Sequence, residues 1–280
     1  IRASWVPVFS LPSEKVPAPL VILVGKVCAL DVRCENADTS VQNKGEILVT
    51  GTHSHAARVC ALLSERGIRA HACPVLSVTE KNFDPVFAEI PRYDWLVFTS
   101  ANGVEIFFRR ARERKTDLRL FGAKRFAAIG AYTAQKLEEY GFAADLVPSP
   151  HTAQALCEAL RGQGIPREKV LLLRSASGDR ALCEAGVQAD VYDTLPDELS
   201  LERAGKALPA AGIVTFGSAG GARALLERFK LPPGCIPVCI GEQTSRELIK
   251  RGYTPVVCEE AAAEALADAV AAIEEKLCRD

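Results

Sequence analysis

The chain of 280 residues contains no methionine, even at position 1, which points to a piece of a longer protein. Long apolar runs are also missing. The longest, residues 19–24, stops at Gly25 and Lys26, far short of the roughly 20 apolar residues a helix needs to cross a bilayer. The opening Ile1-Arg2-Ala3-Ser4-Trp5-Val6-Pro7 lacks the features of an export signal. Neither charge sign dominates: 34 Lys plus Arg against 35 Asp plus Glu leave a formal net charge of −1. That balance argues against a dedicated nucleic-acid binder, while local cations can still meet an acidic small molecule. None of the ten cysteines forms a CxxC pair, and neither Cys235 with Cys239 nor His53 with His55 has the partners of a zinc site. They read as incidental thiols and surface histidines in a reduced, cytoplasmic chain that holds no metal. There is no GxxxxGK[ST], strand-linked GxGxxG, HExxH helix, Ser-His-Asp order or evident carboxylate pair. A chemistry built on this chain must rely on positioning and hydrogen bonding more than on strong acid–base groups.

What is present has a rhythm. Residues 1–45 hold four prolines (Pro7, Pro12, Pro17, Pro19), one β-like run at 20–30 and a polar stretch that reads as a linker. From Gly45 onward, short β-branched runs alternate with amphipathic stretches. Ile47-Leu48-Val49-Thr50 precedes a helix predicted over 55–66 and stopped by Gly67. Trp95-Leu96-Val97-Phe98, Phe126-Ala127-Ala128-Ile129, Val170-Leu171-Leu172-Leu173, Ile213-Val214-Thr215-Phe216 and Pro237-Val238-Cys239-Ile240 repeat the strand theme. This alternation predicts an α/β protein with mostly parallel sheets and helices on both faces.

The pattern is duplicated. Ile129-Gly130-x-x-Thr133-x-x-x-Leu137-x-x-x-Gly141-Phe142 is matched 111 residues later by Ile240-Gly241-x-x-Thr244-x-x-x-Leu248-x-x-x-Gly252-Tyr253. Upstream, Phe98-Thr99-Ser100-Ala101 resembles Phe216-Gly217-Ser218-Ala219. So long a period indicates duplicated α/β units and not a solenoid.

Ligands of open parallel sheets bind beyond the carboxyl ends of the strands. The turns there carry Thr50, then Ser100, Ala101 and Asn102, then Thr133, Arg174, Ser218 and Ala219, and finally Gln243 and Thr244. They are built from Gly, Ser, Thr and Ala, which leave helix N-terminal N–H groups open and add hydroxyl donors suited to carboxylates. The same residue types cap helices, so each turn taken singly serves either role.

In their order and spacing, these segments resemble the uroporphyrinogen-III synthase family from about residue 46 onward. They include Asp94-Trp95-Leu96-Val97-Phe98-Thr99-Ser100-Ala101-Asn102, Asp145-Leu146-Val147-Pro148, Val191-Tyr192-Asp193-Thr194 and Phe216-Gly217-Ser218. The resemblance implies two Rossmann-like or flavodoxin-like lobes with parallel sheets, joined by two crossing β-strands. Lobe one would span 46–76 plus 198–280, lobe two 82–190, and the crossings 77–81 and 191–197. It also implies cyclisation of the linear tetrapyrrole hydroxymethylbilane, with loss of water, inversion of the last ring and no cofactor. Tyr192 takes the position of the family's functional tyrosine, where its phenol would assist departure of the hydroxyl; a tyrosine packed at a lobe junction is the other reading. Ser100, Thr133, Ser218 and Thr244 match turn positions that hold acetate and propionate groups. The sequence departs from the family where Gly51 replaces a common arginine and where Ile236 aligns with a lysine. Arg174 and Arg58 are the cations left to compensate.

Residues 16–27 resemble the C-terminal end of uroporphyrinogen-III C-methyltransferase, which implies the remnant of a fusion, or a partner enzyme. A non-catalytic two-lobe binding protein for an acidic small molecule is the alternative to the synthase. The expected partner is a small molecule, with no nucleic acid and no membrane.

Overall fold

The computed structural model describes residues 45–178, 182 and 184–279. The proline-punctuated segment, its β-like run and the linker, with the methyltransferase resemblance they carry, lie outside the described residues. The chain runs β1 (Glu46–Val49), α1 (His53–Glu65), β2 (His71–Ala72), β3 (Leu76–Glu80), α2 (Val86–Glu89), β4 (Trp95–Phe98), α3 (Ala101–Glu113), β5 (Arg125–Ala128), α4 (Ala131–Glu138) and α5 (Ala153–Gly162). It continues through β6 (Val170–Ser175), β7 (Val187–Pro196), α6 (Glu198–Ala207), β8 (Ala211–Phe216), α7 (Ala219–Leu226), β9 (Ile236–Cys239), α8 (Glu242–Ile249), β10 (Val256–Val257) and α9 (Ala263–Arg279).

Two five-stranded sheets result, ordered β10-β9-β8-β1-β2 and β3-β7-β6-β4-β5. The first is parallel throughout, with β1 paired to β8 across a long stretch of chain. The second is parallel except at its edge, where β3 runs antiparallel to β7. β7 does two jobs: its first half pairs with β6, and its second half pairs with β3 from Tyr192 to Pro196. The mostly parallel α/β fold expected from the strand–helix rhythm is what forms.

Alternation along each strand explains the layers. In β4, Leu96 and Phe98 face a core shared with α2 and α3, while Trp95 and Val97 face the one shared with α5. In β1, Leu48 faces the side of α6 and α7, while Ile47 and Val49 face α1 and α9. Both sheets are thus buried on two faces, which is why their strands read as unbroken apolar runs.

Three expected strands end one residue early: 47–50, 126–129 and 237–240 become Glu46–Val49, Arg125–Ala128 and Ile236–Cys239. In each case the last apolar or β-branched residue has passed the strand end and entered the turn. The duplicated motif has a backbone cause. Gly141 and Gly252 both adopt left-handed φ, 85° and 83°. The following Phe142 and Tyr253 amides donate back to the Leu137 and Leu248 carbonyls, closing helices α4 and α8 alike.

Candidate active site in the cleft

A cavity of about 740 Å³ opens where the carboxyl ends of both sheets meet. Its wall is built from the turns after β1 (Thr52, Ser54, His55, Arg58), β4 (Thr99 to Asn102) and β5 (Gly130 to Thr133), with Gly217 and Ile240 from the ends of β8 and β9. Two contacts tie its sides. Ser54 Oγ donates to Asn102 Oδ1 at 3.2 Å, and the Arg58 guanidinium lies 3.5 Å over the Tyr132 ring.

Ser100, Ala101, Asn102 and Thr133 line this cavity. Ser100 caps α3, its Oγ accepting the Gly103 amide at 3.1 Å, so capping and cavity lining turn out to be compatible roles. Tyr192 is buried behind it, with its phenol oxygen 2.7 Å from Ser100 Oγ. Burial pushes the phenol above its ordinary pKa, and the Ser100 hydrogen bond and the Arg174 charge draw it partly back. The tyrosine therefore stays protonated at neutral pH and reaches the cavity through a serine.

The remaining sequence-derived candidates are not on the cavity wall. Thr50 is buried, and its hydroxyl donates to the Thr215 carbonyl on the neighbouring strand at 2.6 Å, which commits it to the sheet. Arg174 is buried at the end of β6, where its guanidinium packs against Gly178. Ser218 caps α7 by accepting the Gly221 amide, and Ala219 begins that helix. Gln243 and Thr244 sit in the first turn of α8, Gln243 exposed and Thr244 buried.

Other residues emerge that the sequence pattern did not mark. His53 is exposed, as a surface histidine should be, but His55 is not its equivalent. Thr52 caps α1 and turns His55 back over the strand ends, where its imidazole packs against Gly51 and Gly217. A Cβ at Gly217 would stand 2.3 Å from His55 Nε2, and Gly51 combines φ +133° with a Cβ position 2.8 Å from the same ring. These glycines are the sequence signal that a bulky side chain lies across them. His55 Nε2 is buried without a hydrogen-bond partner, and burial, with the Arg58 charge, lowers its pKa to about 4. Gly217→Ala is accordingly expected to cost about 1–3 kcal/mol through overpacking. His55→Ala in the same chain should recover most of that loss in urea unfolding; no recovery would mean that the added methyl meets something other than the ring.

Arg58 pairs with Glu264 in the first turn of α9, and both line the cavity. On another part of the wall, His151 Nδ1 donates to the Pro148 carbonyl at 2.9 Å. Among the described residues no three His, Cys, Asp or Glu side chains group to hold a metal ion. No described helix is long and apolar enough to cross a membrane.

Residues 57–268 match the protein family described as uroporphyrinogen-III synthase HemD. A porphyrin biosynthesis protein HemD from Ruminiclostridium josui is 25% identical over 270 residues, covering 91% of this chain and 53% of that protein. The chain spans about half the length of the curated relatives it matches. Two solved structures share the fold. A mutant uroporphyrinogen III synthase from the extremely thermophilic bacterium Thermus thermophilus is 19% identical with a TM-score of 0.55, and the Helicobacter pylori uroporphyrinogen-III synthetase is 20% identical with a TM-score of 0.56. Each match covers 82% of this chain and 99% of the solved one. With the family match running over most of the two sheets and the turns that meet at the cavity, this chain belongs to the uroporphyrinogen-III synthase family.

Proposed function

We propose that the cleft closes hydroxymethylbilane into uroporphyrinogen III, with loss of water and inversion of the last ring. The observation that carries this reading is the Tyr192–Ser100 pair at the cavity wall, a buried neutral phenol 2.7 Å from a hydroxyl that faces the ligand space. Because Ser100 Oγ already accepts the Gly103 amide, a proton donated by Tyr192 leaves the serine's own hydrogen free to point into the cavity. The departing hydroxyl of the substrate takes that proton and leaves as water as its carbon–oxygen bond breaks; Tyr192 resupplies the serine. The carbon so exposed first bonds to the substituted carbon of the last ring. The bond from that ring to its neighbouring methylene then breaks and re-forms at the ring's free position, which inverts the ring, and the proton lost there returns to the Tyr192 oxygen. Ala101, Asn102 and Thr133 add donors along the same wall for the substrate's carboxylates. Arg174, Ser218, Ala219, Gln243 and Thr244 complete the binding set in a more open arrangement of the halves, while Thr50 stays committed to the sheet.

The boundaries proposed are 46–76 plus 198–280 for one lobe and 82–190 for the other, with 77–81 and 191–197 as the crossings; the antiparallel β3–β7 ladder supports that division. The first 45 residues are proposed as the remnant of a fused methyltransferase's tail followed by a linker, in keeping with a longer relative of which this chain covers about half. A cytoplasmic setting fits the free thiols of Cys60, Cys73, Cys235, Cys239 and Cys258.

The direct test is to incubate the protein with hydroxymethylbilane and identify the porphyrinogen isomer. Isomer III is expected; isomer I alone, the spontaneous product, would overturn the reading in favour of a binding protein. Tyr192→Phe is expected to lower turnover about ten-fold or more, the scale of one lost proton donor. Unchanged turnover would remove Tyr192 from the mechanism.

A further inference from the structure

We propose that Arg58 is the residue by which the cleft selects a polycarboxylated tetrapyrrole, with Glu264 as a built-in competitor that the ligand displaces. The inference rests on the reading above that the cleft takes such a ligand. Arg58 is the one Arg or Lys among the described residues lining the cavity, while Glu260 and Glu264 both stand on the same wall. A ligand carrying several carboxylates would meet net repulsion there unless Arg58 were released to it. The guanidinium is prepared for that task. Tyr132, carried by α4 of the opposite sheet, covers its face at 3.5 Å and so fixes the plane in which its N–H groups point. A stacked guanidinium keeps its edges available, and an edge binds a carboxylate through two parallel hydrogen bonds.

One edge contact is now held by Glu264. The Arg58 side chain is only 22% exposed, whereas that of Glu264 is 47% exposed, so the resident carboxylate is half in water and exchanges at little cost. The second, independent sign is Arg58 Nε, buried without a hydrogen-bond partner. A buried charged donor left unsatisfied is expensive, and a second carboxylate oxygen reaching the cavity would satisfy it. A purely structural strut between α1 and α9 would use that donor too.

The test is a KM-against-kcat comparison on the whole chain. Arg58→Gln is expected to raise KM for hydroxymethylbilane about ten-fold, the worth of one charge-assisted contact, with kcat changed far less. Arg58→Lys should fall between, because it keeps the charge and loses the planar fork. Glu264→Gln should lower KM about two- to three-fold. An unchanged KM in Arg58→Gln, or a KM in Glu264→Gln that rises as much as in Arg58→Gln, would overturn the proposal, the latter by marking the pair as a strut. Binding of uroporphyrin III against coproporphyrin III, which has methyl groups in place of acetates, separates this inference from the catalytic one. Wild type should prefer uroporphyrin III and Arg58→Gln should lose most of that preference, whether or not isomer III is formed. Equal preference in both proteins would overturn the role of Arg58 and leave the cyclase reading untouched.

Discussion

On acidification from neutrality to about pH 4, the protein is expected to lose on the order of 3 kcal/mol of stability through the single side chain of His55. Its imidazole lies packed on Gly51 and Gly217 with Nε2 buried and unpartnered. Loss of hydration is the main force against its protonation, and the Arg58 charge adds to it, which sets its pKa near 4 against the usual 6.5. The unfolded chain therefore takes up this proton near pH 6.5 and the folded one only near 4. Between those values the unfolded state binds more protons, so stability falls as pH falls through that window and is unaffected above it. At about 1.4 kcal/mol per unit of pKa, the loss is a large fraction of the 5–15 kcal/mol typical of a native protein. Urea unfolding of wild type and His55→Gln across this range checks it. The difference between the two should grow in favour of the variant as pH drops, while carboxylates such as Glu247, held low by Arg251 and Arg223, contribute equally to both and cancel. Parallel stability curves would show that the imidazole is hydrated after all.

Phe107→Ala is expected to cost about 3–5 kcal/mol, as deletions of fully buried phenylalanines do. The ring has no exposed surface and lies within 5.2–6.3 Å, centroid to centroid, of Phe83, Phe87, Phe98, Phe108 and Phe121. These neighbours come from α2, α3, β4 and the segments beside them, so a hole at the centre cannot be filled by moving any one of them. Leu118→Ala on the same half, 53% exposed, should stay within about 0.5 kcal/mol. Denaturant midpoints followed by far-UV circular dichroism measure both; a Phe107→Ala cost near that of Leu118→Ala would mean that the aromatic cluster does not organise this half.

Much of this architecture was legible in the amino-acid order because buried parallel strands advertise themselves as apolar runs. The turn at Gly67 followed from helix-stop chemistry, while Gly141 and Gly252 were marked as matching positions of the repeat. Two strands of two residues, His71–Ala72 and Val256–Val257, were not legible: both are exposed edges too short to show an alternating pattern. The candidate site divided along a physical line. Ser100, Ala101, Asn102 and Thr133 come from turns whose local chemistry marked them together with Thr50, Ser218 and Thr244, and only the packing separates the two groups. The placement of Arg58 against Tyr132 and Glu264 depends on how separate elements meet, which spacing along one helix does not encode. Thr50 shows the reverse, a hydroxyl in the right turn that a neighbouring strand had already claimed.

The aromatic cluster around Phe107 has an unlike counterpart in the other sheet. Stacked rings of the described residues run from Phe83 to Phe142 and belong to the half built on β4 and β5. The half built on β1 and β8 carries instead the thiols of Cys60, Cys73, Cys235, Cys239 and Cys258, all pushed up in pKa by burial, with Cys73, Cys235 and Cys258 raised to about 11. Protonated thiols are poor nucleophiles, so they react with a chromogenic disulfide only when their surroundings open. With Cys157, which is buried in the half built on β4 and β5, and Cys183 replaced by alanine, one polypeptide carries two native reporters without a label: near-ultraviolet ellipticity for the aromatic half and thiol trapping for the other. Comparing their rates would tell whether the two halves come apart together or in turn.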